Sequence, residues 1–177
     1  MLRVQVVRCC EGVKIWIMLI RITKGRDGPN TLTCIRDDGT TTWAKVQDYF
    51  PVHDITHYVV ETTLGIPNAF YSLVHDGWDI TQFAEKGAGQ RIPPQANLVE
   101  ALVTRLQQRL MPGSDMSVDS YNEEVQAILE GIDNPERRPV TEEELGAMWA
   151  RLRELLTEFK ALEPGGSLEL TFEPVST

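Results

Sequence analysis

Between Met18 and Thr23, Met18, Ile20 and Ile22 point one way and Leu19, Arg21 and Thr23 the other, a period of two that predicts a strand. Lys24 to Asn30 ends it, and Thr31 to Arg36 forms a second β-rich run. Asp37-Asp38-Gly39 is a hairpin turn signal, since Gly readily takes the positive φ such turns need, and Thr40 to Trp43 returns as a third strand. Far along the chain, Leu168, Leu170 and Phe172 alternate with Glu169, Thr171 and Glu173. This last strand is expected to pair antiparallel with the N-terminal meander, leaving one sheet face wet.

The remaining apolar residues recur at three- and four-residue spacing. Pro51 fits a first helical turn, Gly65 can take the left-handed position after the last turn, and Pro67 blocks continuation, so a helix is predicted from Pro51 to Leu64. A second is expected from about Pro67 to Val74, then a short one at 79–83 with Asp79 as its cap and Gln82 three residues on. Leu98, Leu102, Val103, Leu106 and Leu110 mark a helix over Gln95 to Met111, and Tyr121 to Gly131 another, capped by Asp119 or Ser120. Thr141 with Glu144 is a capping box opening a helix whose stripe runs from Leu145 through Trp149 to Leu162. That stripe is a packing surface for other helices or for a second copy of the chain, a route to a homo-oligomer.

These elements predict an α+β fold: an antiparallel sheet of about four strands, the N-terminal meander plus the C-terminal strand, covered by about five helices. Residues 18–174 are read as one domain, a size able to bury a substantial core. Residues 1–17 are read as an extension, with Met18 as the expected natural start, because Ile15 to Ile20 is too short an apolar run to export or to span a bilayer.

The first helix also carries chemistry. At about 100° per residue, Ile55, Val59, Val52, Thr63 and Val60 fill an apolar wedge, while His53, His57 and Glu61 form a stripe along one of its borders. Residues four apart have Cβ atoms about 5–6 Å apart, so two imidazoles can converge on one ion with Glu61 a turn further on. The third histidine, His75, lies just after the second helix with Asp76 and Asp79, and the short Gly65-Ile66 joint lets that segment fold back toward the pair.

His53-Asp54-Ile55-Thr56-His57 resembles the His-Glu-x-x-His helix of the zincin metallohydrolases. The resemblance implies His53 and His57 as zinc ligands and Asp54, one methylene shorter than the family's glutamate, as the general base. The longer pattern Phe50-Pro51-x-His53-Asp54-x-Thr56-His57-Tyr58-x-Val60-Glu61 resembles a segment of small uncharacterised bacterial proteins, which implies no activity.

Composition narrows the setting. A net charge of −9 and a pI near 4.8 oppose nucleic acid and anionic lipid, so neither is expected as a partner. Three cysteines, an odd number with Cys9 and Cys10 adjacent, make no disulfide framework and suit a reducing cytoplasm. Gly87-Ala88-Gly89 beside Lys86 and Arg91 has no Walker pattern and reads as a plain loop or a lid. Two functions follow. One is a metal-dependent hydrolase of a small substrate, holding a divalent ion, zinc first, with His53, His57, Glu61 and His75 as ligand candidates and Asp54 or Glu61 taking a proton. The other is a non-catalytic structural or interaction domain with an acidic surface.

Overall fold

A computed structural model describes residues 17–47, 50–115, 117–132 and 136–174. The expectations for the segment before residue 17 lie outside the described residues. Strands β1 (Met18–Thr23), β2 (Asn30–Ile35), β3 (Thr41–Val46) and β4 (Ser167–Phe172) form one sheet in the order β3-β2-β1-β4, every neighbouring pair antiparallel. The meander arises from the local turn chemistry. Gly39 has φ 84°, its amide donates to the Arg36 carbonyl and the Arg36 amide to the Thr40 carbonyl, which closes the β2–β3 hairpin. Strand β4 returns beside β1, with Ile20 opposite Leu170 and Met18 opposite Phe172.

Period-two alternation sets which face is covered. Met18, Ile20, Ile22, Leu32, Cys34, Leu168, Leu170 and Phe172 are all buried, and their odd-numbered neighbours are not. The helices lie against the buried face. They are α1 (Phe50–Leu64), α2 (Phe70–His75), α3 (Pro94–Gln108), α4 (Val118–Leu129) and α5 (Glu142–Ala161), with short 3₁₀ turns at Ile80–Ala84 and Ala88–Gln90. Helix α1 packs on both α3 and α5, and α3 packs on α4. The expected α+β architecture, four antiparallel strands and five helices, is the one observed.

Helix α1 stops where the sequence says it should. Gly65 takes φ 59° and the Ile66 amide donates to the Glu61 carbonyl at 3.3 Å, the six-to-one bond of a Schellman cap. Helix α2 begins at Phe70, not near Pro67, because Asn68 adopts φ 57° and Ala69 is extended, which turns the chain before it can coil. Helix α4 is capped two or three residues earlier than expected, the Ser117 hydroxyl accepting from the Ser120 amide. The α5 capping box forms as read, with the Thr141 hydroxyl accepting from the Glu144 amide and Glu144 Oε2 accepting from the Thr141 amide at 2.9 Å.

Along the α5 stripe Leu145, Met148, Leu152, Leu155 and Leu156 are buried, and Trp149, Phe159 and Leu162 are half-buried against the same core. Arg36 is buried at the end of β2, where its Nε donates to the Val74 carbonyl at 2.6 Å and its Nη2 to the Trp78 carbonyl at 2.7 Å. The Val74 carbonyl, which also accepts from the Gly77 amide, and the Trp78 carbonyl thus share one cation, and the segment after α2 is tied to the sheet. Among the described residues no helix is long and apolar enough to cross a membrane.

Candidate metal centre

Helix α1 buries Ile55, Val59 and Val60 completely, and this orientation carries His57 and Glu61 to the edge of the core. The His57 side chain is 2% exposed and that of Glu61 is sealed, while His53, one turn earlier, keeps 30% of its side-chain surface. Helix α3 crosses α1 and adds Glu100. One ligand atom each from His53, His57 and Glu100 can be chosen so that all lie within 4.8 Å of one another, a group able to hold a metal ion.

Both rings point the same nitrogen at Glu100. His57 Nε2 is 3.2 Å from Glu100 Oε1 and His53 Nε2 is 3.7 Å from Glu100 Oε2. A tetrahedral ion with bonds of about 2.0–2.1 Å separates its ligands by about 3.3 Å, so small side-chain adjustments fit the three to one centre. The ring centroids of His53 and His57 are 4.6 Å apart.

Behind each ring stands a further carboxylate. His57 Nδ1 is 3.4 Å from Glu61 Oε1, and His53 Nδ1 is 3.9 Å from Asp54 Oδ1. Glu61 is itself held from the opposite side, Oε2 accepting from the Tyr71 amide at 3.0 Å and from the Ser72 amide at 3.3 Å. These amides belong to the first turn of α2, which has no side-chain cap of its own, so Glu61 supplies acceptors that the turn lacks. A carboxylate behind an imidazole fixes its tautomer and its orientation, as in metal sites generally. Asp54 is also buried; its carbonyl accepts from the Tyr71 hydroxyl at 3.1 Å, and its Oδ2 has no hydrogen-bond partner among the described residues.

The electrostatics follow from this layout. Complete burial opposes a charge on His57, yet Glu100 and Glu61 on either side raise its pKa to about 10. Partial burial likewise disfavours charge on His53, and the carboxylates of Asp54 and Glu100 outweigh it and raise the pKa. Glu100 is pushed up by its surroundings but pulled down harder by the two rings, so its carboxyl falls well below the usual range. Burial raises Glu61 against the pull of His57 and the two amides. Without an ion, the centre is therefore a cationic His57 flanked by acids.

The centre opens into a cleft of about 620 Å³ between the β2–β3 edge of the sheet and the segment around the 3₁₀ turn at Ile80–Ala84. His53, Asp54, His57 and Glu100 stand in its wall, and Leu32, Val46, Phe70, Ile80 and Phe83 supply much of the rest.

Of the residues picked from sequence, His53 and His57 share one centre, and Glu61 touches it through His57. Asp54 lies beside His53 in the cleft. His75 is elsewhere engaged, its Nδ1 2.9 Å from Asp76 Oδ1, and it is not part of the group that can hold an ion. Asp79 begins the 3₁₀ turn, where its amide donates to Gln82 Oε1. Glu100 escaped the sequence reading. Its trace is a single carboxylate inside the apolar run Leu98-Val99-Glu100-Ala101-Leu102-Val103, visible only as an interruption until α3 is placed against α1.

Comparison of the chain with protein-family models, with curated proteins and with solved structures gives no match in any of the three.

Proposed function

We propose that the protein binds one divalent metal ion, zinc by preference, through His53, His57 and Glu100, and uses it to hydrolyse a small substrate in the adjoining cleft. The carrying observation is the convergence of two imidazole nitrogens and a carboxylate from two helices, with a second carboxylate behind each ring. Two nitrogens and one oxygen are the donor set of many hydrolytic zinc centres, which keep a fourth position open. A bound ion would supply Lewis-acid polarisation and lower the pKa of water toward about 7.

Each side chain has a separate task in this reading. Glu61 is a positioning residue, because its oxygens already serve His57 and two amides. Asp54 is the proton acceptor in this reading: it stands in the cleft wall, with Oδ1 3.9 Å from His53 Nδ1. Glu100 completes the centre and neutralises charge there.

Metal content tests the proposal directly. Untagged protein purified after growth with zinc, iron and manganese should carry about one ion per chain. His57→Ala should carry almost none, and sub-stoichiometric metal in the wild type would refute the site. With metal in place, Asp54→Asn should retain the ion and lose hydrolysis of generic ester or amide substrates.

A second reading is favoured by the raised pKa of His57. An imidazolium between Glu100 and Glu61 ties α1 to α3 without any ion. In that case exhaustive chelation leaves the melting temperature unchanged and no metal copurifies.

A further inference from the structure

The cleft has a direction. From the His57 ring, Phe70 follows at 5.3 Å between centroids, and Phe83 follows Phe70 at 4.7 Å. An aromatic wall thus runs outward from the imidazole that ends the cleft. Leu32 and Val46 from the buried face of the sheet line the same cleft, as do Ile80 and Ile92. The polar groups collect at the histidine end, apart from Lys45, Gln47 and Thr81, which are exposed. A volume of about 620 Å³ sits within the range of pockets for small organic ligands, and such pockets combine apolar walls with a few convergent polar groups.

We infer that the cleft receives the hydrocarbon part of a small acyl compound, an ester or amide with a medium-length or aromatic acyl group, and places its carbonyl at the His53, His57 and Glu100 end. This deepens, and rests on, the metal-hydrolase reading above. Hydrolysis forms one bond from a water oxygen to the acyl carbon and breaks the bond to the alcohol or amine, which leaves with the proton that Asp54 takes from the water. The acid is the other product, and no further reactant is needed. Specificity lies in the length and shape of the acyl group, because Phe70, Phe83, Leu32, Val46, Ile80 and Ile92 offer it apolar contact.

Two homologous probe series separate the cleft from the metal. Alkyl hydroxamic acids from acetyl to octanoyl present two oxygens to an ion, and N-methyl alkanamides of the same lengths report on the cleft even in chelator-treated protein. For zinc-loaded wild type the hydroxamate Kd should fall about three- to fourfold with each added methylene until the cleft is filled. Phe83→Asp should flatten the series while leaving zinc stoichiometry and acetohydroxamate affinity within about twofold, a tolerance in keeping with single-contact effects. Ala84→Trp, at an exposed position on the cleft wall, should shorten the tolerated chain without risk to the core. Stoichiometric zinc with a flat hydroxamate series in the wild type overturns the inference. Absence of zinc binding together with length-dependent amide affinity overturns the metal reading and leaves the apolar cleft standing.

Discussion

His57 Nδ1 lies 3.4 Å from Glu61 Oε1, and both side chains are closed to water, so an ionisable pair one helical turn apart is buried at the border of the core. A buried ionisable pair persists only where its geometry and remaining hydrogen bonds offset desolvation, and the Tyr71 and Ser72 amides provide those bonds to Glu61. Removing one partner leaves the other unpaired. Glu61→Ala should therefore destabilise the metal-free protein by about 3–5 kcal/mol in urea unfolding. Glu61→Gln should cost less and lower zinc affinity about 10- to 100-fold, the usual effect of losing a carboxylate behind a ligand. A loss below about 1 kcal/mol for Glu61→Ala contradicts the pair's structural role.

Metal binding should be coupled to proton release. With its pKa raised to about 10, His57 holds a proton near neutrality that must leave before Nε2 can bind an ion. Calorimetry in two buffers of different ionisation enthalpy should show release of at least about one proton per zinc near pH 7, and apparent affinity should rise about tenfold per pH unit below the pKa. The stability of the metal-free protein has the corresponding sign. Because the folded pKa lies above the ordinary histidine value of 6.5, the contribution of His57 is fully present below pH 6.5 and is lost as pH rises through about 10. A proton-neutral binding reaction contradicts this.

Cys34 should behave as a buried hydrophobe. Burial, reinforced by Asp54, pushes its thiol up to about 12. In a variant with Cys9 and Cys10 changed to Ser, folded protein should resist alkylation at mildly alkaline pH and react fully once unfolded. Rapid labelling of the folded chain would show the site to be open.

The α5 capping box predicts a local cost and an acid dependence. Thr141→Ala removes an acceptor from the first turn and should lower stability by about 1 kcal/mol. Hydrogen bonding to the Thr141 amide and the ion pair with Arg138 hold Glu144 below its ordinary value. Its folded pKa being depressed, Glu144 stabilises above the ordinary carboxylate value and loses that contribution as pH falls through the folded one. Thermal melts of wild type and Glu144→Gln should converge in acid and separate toward neutrality.

Element type was largely legible along the chain. The even-numbered apolar residues of β1 and β4, the Asp-Asp-Gly turn and the Gly65 stop are local instructions, each readable from steric and solvation rules over a few residues. Boundaries failed where a backbone choice overrode pattern, as at Asn68, whose positive φ delays α2 to Phe70. The convergence of His53 and His57 was equally local, since four-residue spacing on a helix brings side chains together regardless of what packs around them.

What the amino-acid sequence determined by itself was therefore a pair of imidazoles on the rim of an amphipathic helix and the strands that helix would cover. Which acid joined them was decided by the tertiary structure. Glu100 lies 43 residues beyond His57, and only the packing of α3 across α1 turns an interruption in an apolar run into a partner 3.2 Å from His57 Nε2. The packing of α2 against α1 left Glu61 to brace His57 and the start of α2, while His75 pairs with its chain neighbour Asp76, outside the ion-holding group. Helical spacing is set by short-range geometry, whereas contacts between helices depend on how every apolar face in the chain is buried at once.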